Sequence, residues 1–206
     1  MSTFFITGIS TEVGKTVAAA IITEALQADY WKPIQAGDLD NSDTHKVKRL
    51  VSNDISQYHD NAFALNTPMS PHASAKMDNI TISANKIKRP KTKNTLVIEG
   101  AGGVLVPIND TETVAQLIAP TDKVIIVSRH YLGSINHTLM TVEVLKARKL
   151  KIAGILFSGD ENPTTEAIIA KMSQVPIIGR IDEEPYIDAN VVSEYADRLR
   201  EKLLSL

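Results

Sequence analysis

The 206-residue sequence predicts an α/β fold: one domain, residues 1–206, with a mainly parallel β-sheet and helices on both faces. Three observations lead there. Short runs that are apolar on both faces alternate with helical patterns along most of the chain. The first of these runs passes through a glycine loop, GISTEVGKT, directly into a helical pattern. The composition, 43% hydrophobic and 22% charged, suits a single sizeable core.

Taken in order, the strand-like runs are residues 3–7, 30–34, 95–99, 123–128, 152–158 and 176–181, each bounded by glycine or polar residues. Helical patterns fall at 15–27, 43–51, 114–118, 135–149, 164–173 and 191–204. This alternation calls for right-handed crossovers between parallel strands. Residues 53–93 break the rhythm: they hold Pro68, Pro71 and Pro90 and a basic run from Lys86 to Lys93, read as a solvated helix end and loop. A net charge of −2 gives no sign of a nucleic-acid partner. With no cysteine, disulfides and thiolate chemistry are excluded. MSTFFITG has neither the basic region nor the apolar core of a signal peptide, and no run is long enough to span a bilayer, so a cytoplasmic protein without membrane partners is expected.

The glycine loop carries the first chemistry. A phosphate loop usually reads G-x-x-x-x-G-K-[ST]; here five residues, Ile9 to Val13, separate Gly8 from Gly14. The glycines allow tight turns whose amides face phosphate oxygens, Lys15 supplies a cation, Thr16 offers a hydroxyl to Mg²⁺, and the following helix adds its positive end. A second acid is needed at another strand end. Glu99 follows the apolar run 96–98, and Gly100, Gly102 and Gly103 beyond it leave room for a ligand to approach the backbone. Asp43, in NSD, is either a helix cap or a metal ligand. Lys32, in KPIQAG, is either an exposed strand-end lysine or a second cation for the terminal phosphate, because parallel strands bring their C-terminal ends to one edge.

GISTEVGKT, KPIQAG, NSD, SPH, VIEGAGG with Pro107, and LGSINHTL follow one another in an order and spacing that resemble the dethiobiotin synthetase family, whose phosphate loop has the same five-residue spacer. The resemblance implies a P-loop α/β homodimer. It also implies an ATP- and Mg²⁺-dependent cyclo-ligase of biotin biosynthesis, acting on 7,8-diaminononanoate and CO₂ through a carbamate and a carbamic-phosphoric anhydride. By that match Lys15, Lys32 and Thr11 are catalytic, and Thr16, Asp43 and Glu99 hold Mg²⁺. Glu12, Val13, Gly14, Val17, Gly100, Gly102, Ser158 and Gly179 join Lys15, Thr16 and Glu99 around the nucleotide. Glu12 is expected to use its backbone amide, since a carboxylate near phosphates is repelled. Ala36, Ser70, Pro71 and His72 line the substrate pocket with Thr11, Lys32 and Gly102. His72 is either a general base or a structural contact. Leu132, Gly133, Ser134, Ile135 and Asn136 open a helix whose free amides, at Ser134, Ile135 and Asn136, would receive the substrate carboxylate across the subunit interface.

Two departures stand out. The family often has Ser or Thr where this chain has Ala36, and usually Asn, for the adenine edge, where this chain has Ser158. Tolerance of other nucleoside triphosphates is therefore expected. The alternative function is a partner-regulated ATPase of the partition or site-selection type. Such switches carry a signature lysine near the loop start, where this chain has Ser10. A cobyrinate-type amidotransferase would need a nucleophilic cysteine, which is lacking.

Overall fold

The computed structural model describes residues 2–206. Seven parallel strands form the main sheet, in the order β4 (Tyr58–His59), β2 (Asp29–Trp31), β6 (Leu96–Gly103), β1 (Thr3–Gly8), β7 (Lys123–Arg129), β8 (Ile152–Ser158), β9 (Ile177–Ile181). The central strands are hydrophobic on both faces because helices cover both. Phe4, Phe5 and Ile6 of β1 and Val124 to Val127 of β7 are all buried. α1 (Lys15–Leu26) packs on β1 and β6 and against α6 (Ala189–Leu204); α4 (Ser134–Ala147) packs on β7 and β8 and against α5 (Pro163–Ser173). Because every strand of this sheet runs the same way, all its C-terminal ends meet one edge.

The structure departs from the sequence reading in several places. The run 30–34 is two strands: β2 stops at Trp31, and β3 (Ile34–Ala36) pairs with β5 (Phe63–Leu65) in a separate parallel sheet. Pro33 has no N–H to donate to a ladder, and the chain changes sheets there. Lys32 lies in that break. Residues 53–93 also hold β4, β5, α3 (Pro71–Met77) and a 3₁₀ turn, pieces too short for periodicity to reveal. Residues 114–118 form a 3₁₀ turn, Val114–Leu117, started by a Thr113–Gln116 capping box. Within the basic run, Arg89 is not simply solvated: its guanidinium binds the buried Asp122 carboxylate and the Leu117 carbonyl.

β6 continues to Gly103 instead of ending at Glu99. Gly102 takes φ 67° at a register shift, beyond which Gly8 pairs with Gly103. Glu99 is therefore a mid-strand residue turned into the site, not a residue leaving the strand.

Candidate active site

The phosphate loop bends where its glycines require. Gly14 adopts φ 89°, and a Cβ on Gly8 would lie 2.6 Å from the Ser10 carbonyl oxygen, so neither position accepts a side chain without strain. Glu12 also sits in the left-handed region, at φ 54°, with its side chain exposed and Val13 tucked beneath the loop. Lys15 Nζ reaches back to donate to the Ser10 carbonyl at 3.0 Å. Burial pulls this ammonium down to about 8, against the opposing charges of Glu99 and Asp43.

Across the edge, Lys32 is 4% exposed, which rules out the exposed strand-end reading. Its ammonium lies 2.7 Å from Asp43 Oδ2 and 2.8 Å from Glu99 Oε1, and donates to the Gly100 carbonyl at 3.2 Å. Burial would lower its pKa, but the charges of Glu99 and Asp43 outweigh burial and raise it. Asp43 stays below the usual carboxylate value because Lys32 overcomes the cost of its own burial.

The cap question at Asp43 resolves in favour of its neighbour. Ser42 is the N-cap of α2 (Asp43–Leu50), accepting from His45 N–H while His45 Nδ1 accepts from the Ser42 amide. The Asp43 side chain is thereby released to meet Lys32. Gln35 helps: its Oε1 accepts the Asp43 amide at 3.2 Å and its Nε2 donates to the Gly37 carbonyl at 2.9 Å. Thr16 Oγ1 donates to Glu99 Oε1 at 3.0 Å, so a hydroxyl and two carboxylates converge. Such hard oxygen donors fit Mg²⁺. Among the described residues no group of three or more His, Cys, Asp or Glu could hold a metal, so further ligands would come from substrate phosphate and water.

These residues line one cavity of about 1040 Å³. It also takes in Thr11, Glu12, Val13, Val17, Ala36, Ser70, Pro71 and Gly102, and one flank of α4 through His137, Met140, Thr141 and Val144. Gly100, whose carbonyl accepts from Lys32, does not line the cavity, and four further groups of predicted site residues lie elsewhere. His72 is exposed on α3, with Ser70 Oγ 3.1 Å from its Nδ1 and its amide donating to the Pro107 carbonyl; it does not line the cavity. Ser158 is buried at the end of β8, its hydroxyl 2.9 Å from where a Gly14 Cβ would stand. Gly179 is inside β9, not in a loop, and makes room for Leu199 of α6, which would lie 2.7 Å from an added Cβ. Leu132 to Asn136 line a second cavity of about 770 Å³ with residues of α5. The expectation of a free amide at Ser134 is overturned, because that N–H donates to the Tyr131 carbonyl at 2.9 Å; the turn before α4 uses it.

Sequence reasoning missed Tyr30 and Gln35. Tyr30 is fully buried in β2 and donates to Glu99 Oε2 at 2.8 Å; burial and the Glu99 charge push its phenol well above the usual value. Tyr30 reads as an ordinary position of the strand-like run 30–34, and Gln35 falls just past that run, inside KPIQAG. Only their closeness to Lys32, two residues before it and three after it, carried a signal.

A sequence profile described as an AAA domain matches residues 2–191. Among solved structures, the Pyrococcus furiosus cell division ATPase MinD superposes with TM-score 0.63, covering 98% of this chain and 100% of its own. At 14% identity it shares the fold alone. A protein of Christiangramia forsetii named ATP-dependent dethiobiotin synthetase BioD is 62% identical over 203 residues, 98% of each chain. Its namesake in Cytophaga hutchinsonii is 47% identical over 97% of each, and one in Chlamydia pneumoniae 40% over 98% of this chain and 90% of that one. Identity sustained along practically the whole length, over a phosphate loop that faces two lysines and two carboxylates, places this chain in the ATP-dependent dethiobiotin synthetase family.

Proposed function

We propose that this chain is an ATP-dependent dethiobiotin synthetase that closes the ureido ring from 7,8-diaminononanoate and CO₂ in biotin biosynthesis. The observation that carries the reading is the convergence of Lys15, Lys32, Thr16, Asp43 and Glu99 on one cavity whose far wall holds Ser70 and Pro71. CO₂ adds to one amine of the substrate, giving a carbamate with loss of a proton. The carbamate oxygen attacks the γ-phosphorus and ADP leaves. The second amine then attacks the carbonyl of the mixed anhydride and expels phosphate, closing the five-membered ring.

Phosphoryl transfer asks mainly for positioning and charge neutralisation. Lys15 and the loop amides from Glu12 to Thr16 hold the β- and γ-phosphates, and Val17 closes that side. Lys32 meets the carbamate and the γ-phosphoryl from the opposite side, with Thr11 at the same end. Gly100 acts through its carbonyl, which fixes Lys32. Thr16, Asp43 and Glu99 would hold Mg²⁺, which when bound neutralises phosphate charge. Ala36 and Gly102 complete the diamine pocket. Ser158 packs under the phosphate loop near the nucleotide.

Leu132 to Asn136 lie on the second cavity of the same protomer, which favours their delivery to a partner's site in a homodimer, with the Ile135 and Asn136 amides facing the substrate carboxylate. The whole chain acts as one domain, in the cytoplasm and without nucleic-acid or membrane partners. No helix among the described residues is long and apolar enough to cross a membrane. The partner-regulated switch is not favoured, given relatives at 62% and 47% identity that carry the synthetase name.

The test mixes protein, Mg-ATP, bicarbonate and the diamino acid. Cyclic urea should appear by mass in step with ADP. Hydrolysis of ATP without the urea, or hydrolysis that needs DNA or membrane, would refute the reading.

A further inference from the structure

Glu99 has its two oxygens divided between different tasks. Oε1 receives Thr16 Oγ1 at 3.0 Å and Lys32 Nζ at 2.8 Å. Among the described residues Oε2 receives only the Tyr30 phenol, at 2.8 Å. The terminal torsion of a glutamate is soft and nearly two-fold, so packing alone sets the plane of a carboxylate poorly. Here Glu99 is 1% exposed, so bulk solvent has almost no access to its second oxygen. Tyr30 is 0% exposed and stands on the neighbouring strand, its register partner Val97 two residues before Glu99. Phenylalanine would fill the same apolar space without burying a hydroxyl. A buried hydroxyl costs free energy unless it is hydrogen-bonded, and here its one partner is the acid of the site.

The geometry points to Tyr30 as a positioning residue for the reaction: its hydroxyl fixes Oε2 of Glu99, and this keeps Oε1 turned toward Thr16 and Lys32, where the divalent cation and the γ-phosphoryl are handled. The inference rests on the role given above to Glu99. Tyr30 touches no reacting atom and acts through the carboxylate. Its loss should weaken the grip on the cation and leave the walls of the diamine pocket at Ala36, Ser70, Pro71 and Gly102, which lie outside the strand of Tyr30, as they are.

Tyr30→Phe, Glu99→Gln and the double variant separate these roles. Mn²⁺ serves as the probe, titrated by its paramagnetic resonance signal in the presence of a non-hydrolysable ATP analogue. Mg²⁺ activation and the KM for the diamino acid are measured alongside. Tyr30→Phe should bind Mn²⁺ about tenfold more weakly, the scale of one lost hydrogen bond to a charged group, and need correspondingly more Mg²⁺, with the KM for the diamino acid unchanged. In the Glu99→Gln background, Tyr30→Phe should change Mn²⁺ affinity by less than about twofold, because residues acting as one unit are not additive. A merely structural tyrosine would lower the melting temperature and move none of these readings. Wild-type Mn²⁺ affinity in Tyr30→Phe, with Glu99→Gln impaired, overturns the role of Tyr30 alone. Wild-type affinity in Glu99→Gln overturns the role of Glu99 and this inference with it. A full tenfold effect in both backgrounds shows that Tyr30 acts apart from Glu99, which also overturns it. If Tyr30→Phe folds poorly, Tyr30→Met fills the space without a hydroxyl and carries the same expectation.

Discussion

Replacing Lys32 by methionine tests the electrostatic logic of the site without any substrate present. Lys32 is the cation between Asp43, at 2.7 Å, and Glu99, at 2.8 Å, and it is buried. Methionine keeps most of the volume but leaves two carboxylates facing each other. Removing one partner of a buried ionic group costs about 3–5 kcal/mol. For a domain of this size, about 2–4 °C of melting temperature per kcal/mol gives a fall of roughly 6–20 °C. The same change builds a better cation site, since two carboxylates and the Thr16 hydroxyl lose the ammonium that competed for them. A ligand that binds only the folded state at 100 times its dissociation constant returns about 2.7 kcal/mol. Scanning calorimetry with Mg²⁺ titrated from zero to millimolar should therefore raise the melting temperature of Lys32→Met far more than that of the wild type. Turnover should stay down by about two to three orders of magnitude even where Mg²⁺ restores stability, because the charge aimed at the phosphoryl group is still missing. Wild-type melting with no response to Mg²⁺ would refute the ion-pair argument. Recovered turnover would remove Lys32 from the chemistry.

Lys15→Met should behave in the opposite way: turnover falls by about two to three orders of magnitude but melting does not, because burial already disfavours this ammonium and pulls it down to about 8. A melting temperature well below wild type would contradict that. Ser158 offers no side-chain amide to a base edge, so CTP and GTP should support turnover within about tenfold of ATP, a bidentate base contact being worth roughly 1–3 kcal/mol; strict ATP dependence ends that expectation. Glu24 accepts from the Ser52 and Asn53 amides and side chains, and these bonds outweigh burial to hold its carboxyl below the usual 4.5. Its folded value lies below its unfolded one, so its stabilisation is complete above pH 4.5 and is lost as pH falls through the folded value. Glu24→Gln should cost about 1.5–3 kcal/mol at pH 7, with the gap to wild type closing in acid titrations below 4.5; a gap independent of pH would show that the charge is not what matters.

The sequence makes legible whatever repeats a rule over several residues. Runs apolar on both faces gave six of the seven strands of the main sheet, to within a residue or two at most ends, and Gly8, Gly14, Lys15 and Thr16 gave the phosphate loop. Short elements escaped. β4 and β5 have two and three residues, too few for a period, and the break at Pro33 hid a change of sheet inside one apolar run. The chemistry followed the same division. Acids and lysines were found as motifs, but whether each was buried, capped or solvated depended on residues far away in sequence. Asp43 could be cap or ligand until Ser42 took the cap and Gln35 the amide. Lys32 could be solvated until Glu99, 67 residues on, was seen to meet it. The supports were invisible for a deeper reason. A tyrosine in a buried strand obeys the same apolar pattern as a phenylalanine, and only the carboxylate of another strand gives its hydroxyl a purpose. A motif can therefore name the groups that act, while their orientation is written in residues that look like ordinary core; a close relative with phenylalanine at Tyr30 would keep every motif and grip its cation less firmly.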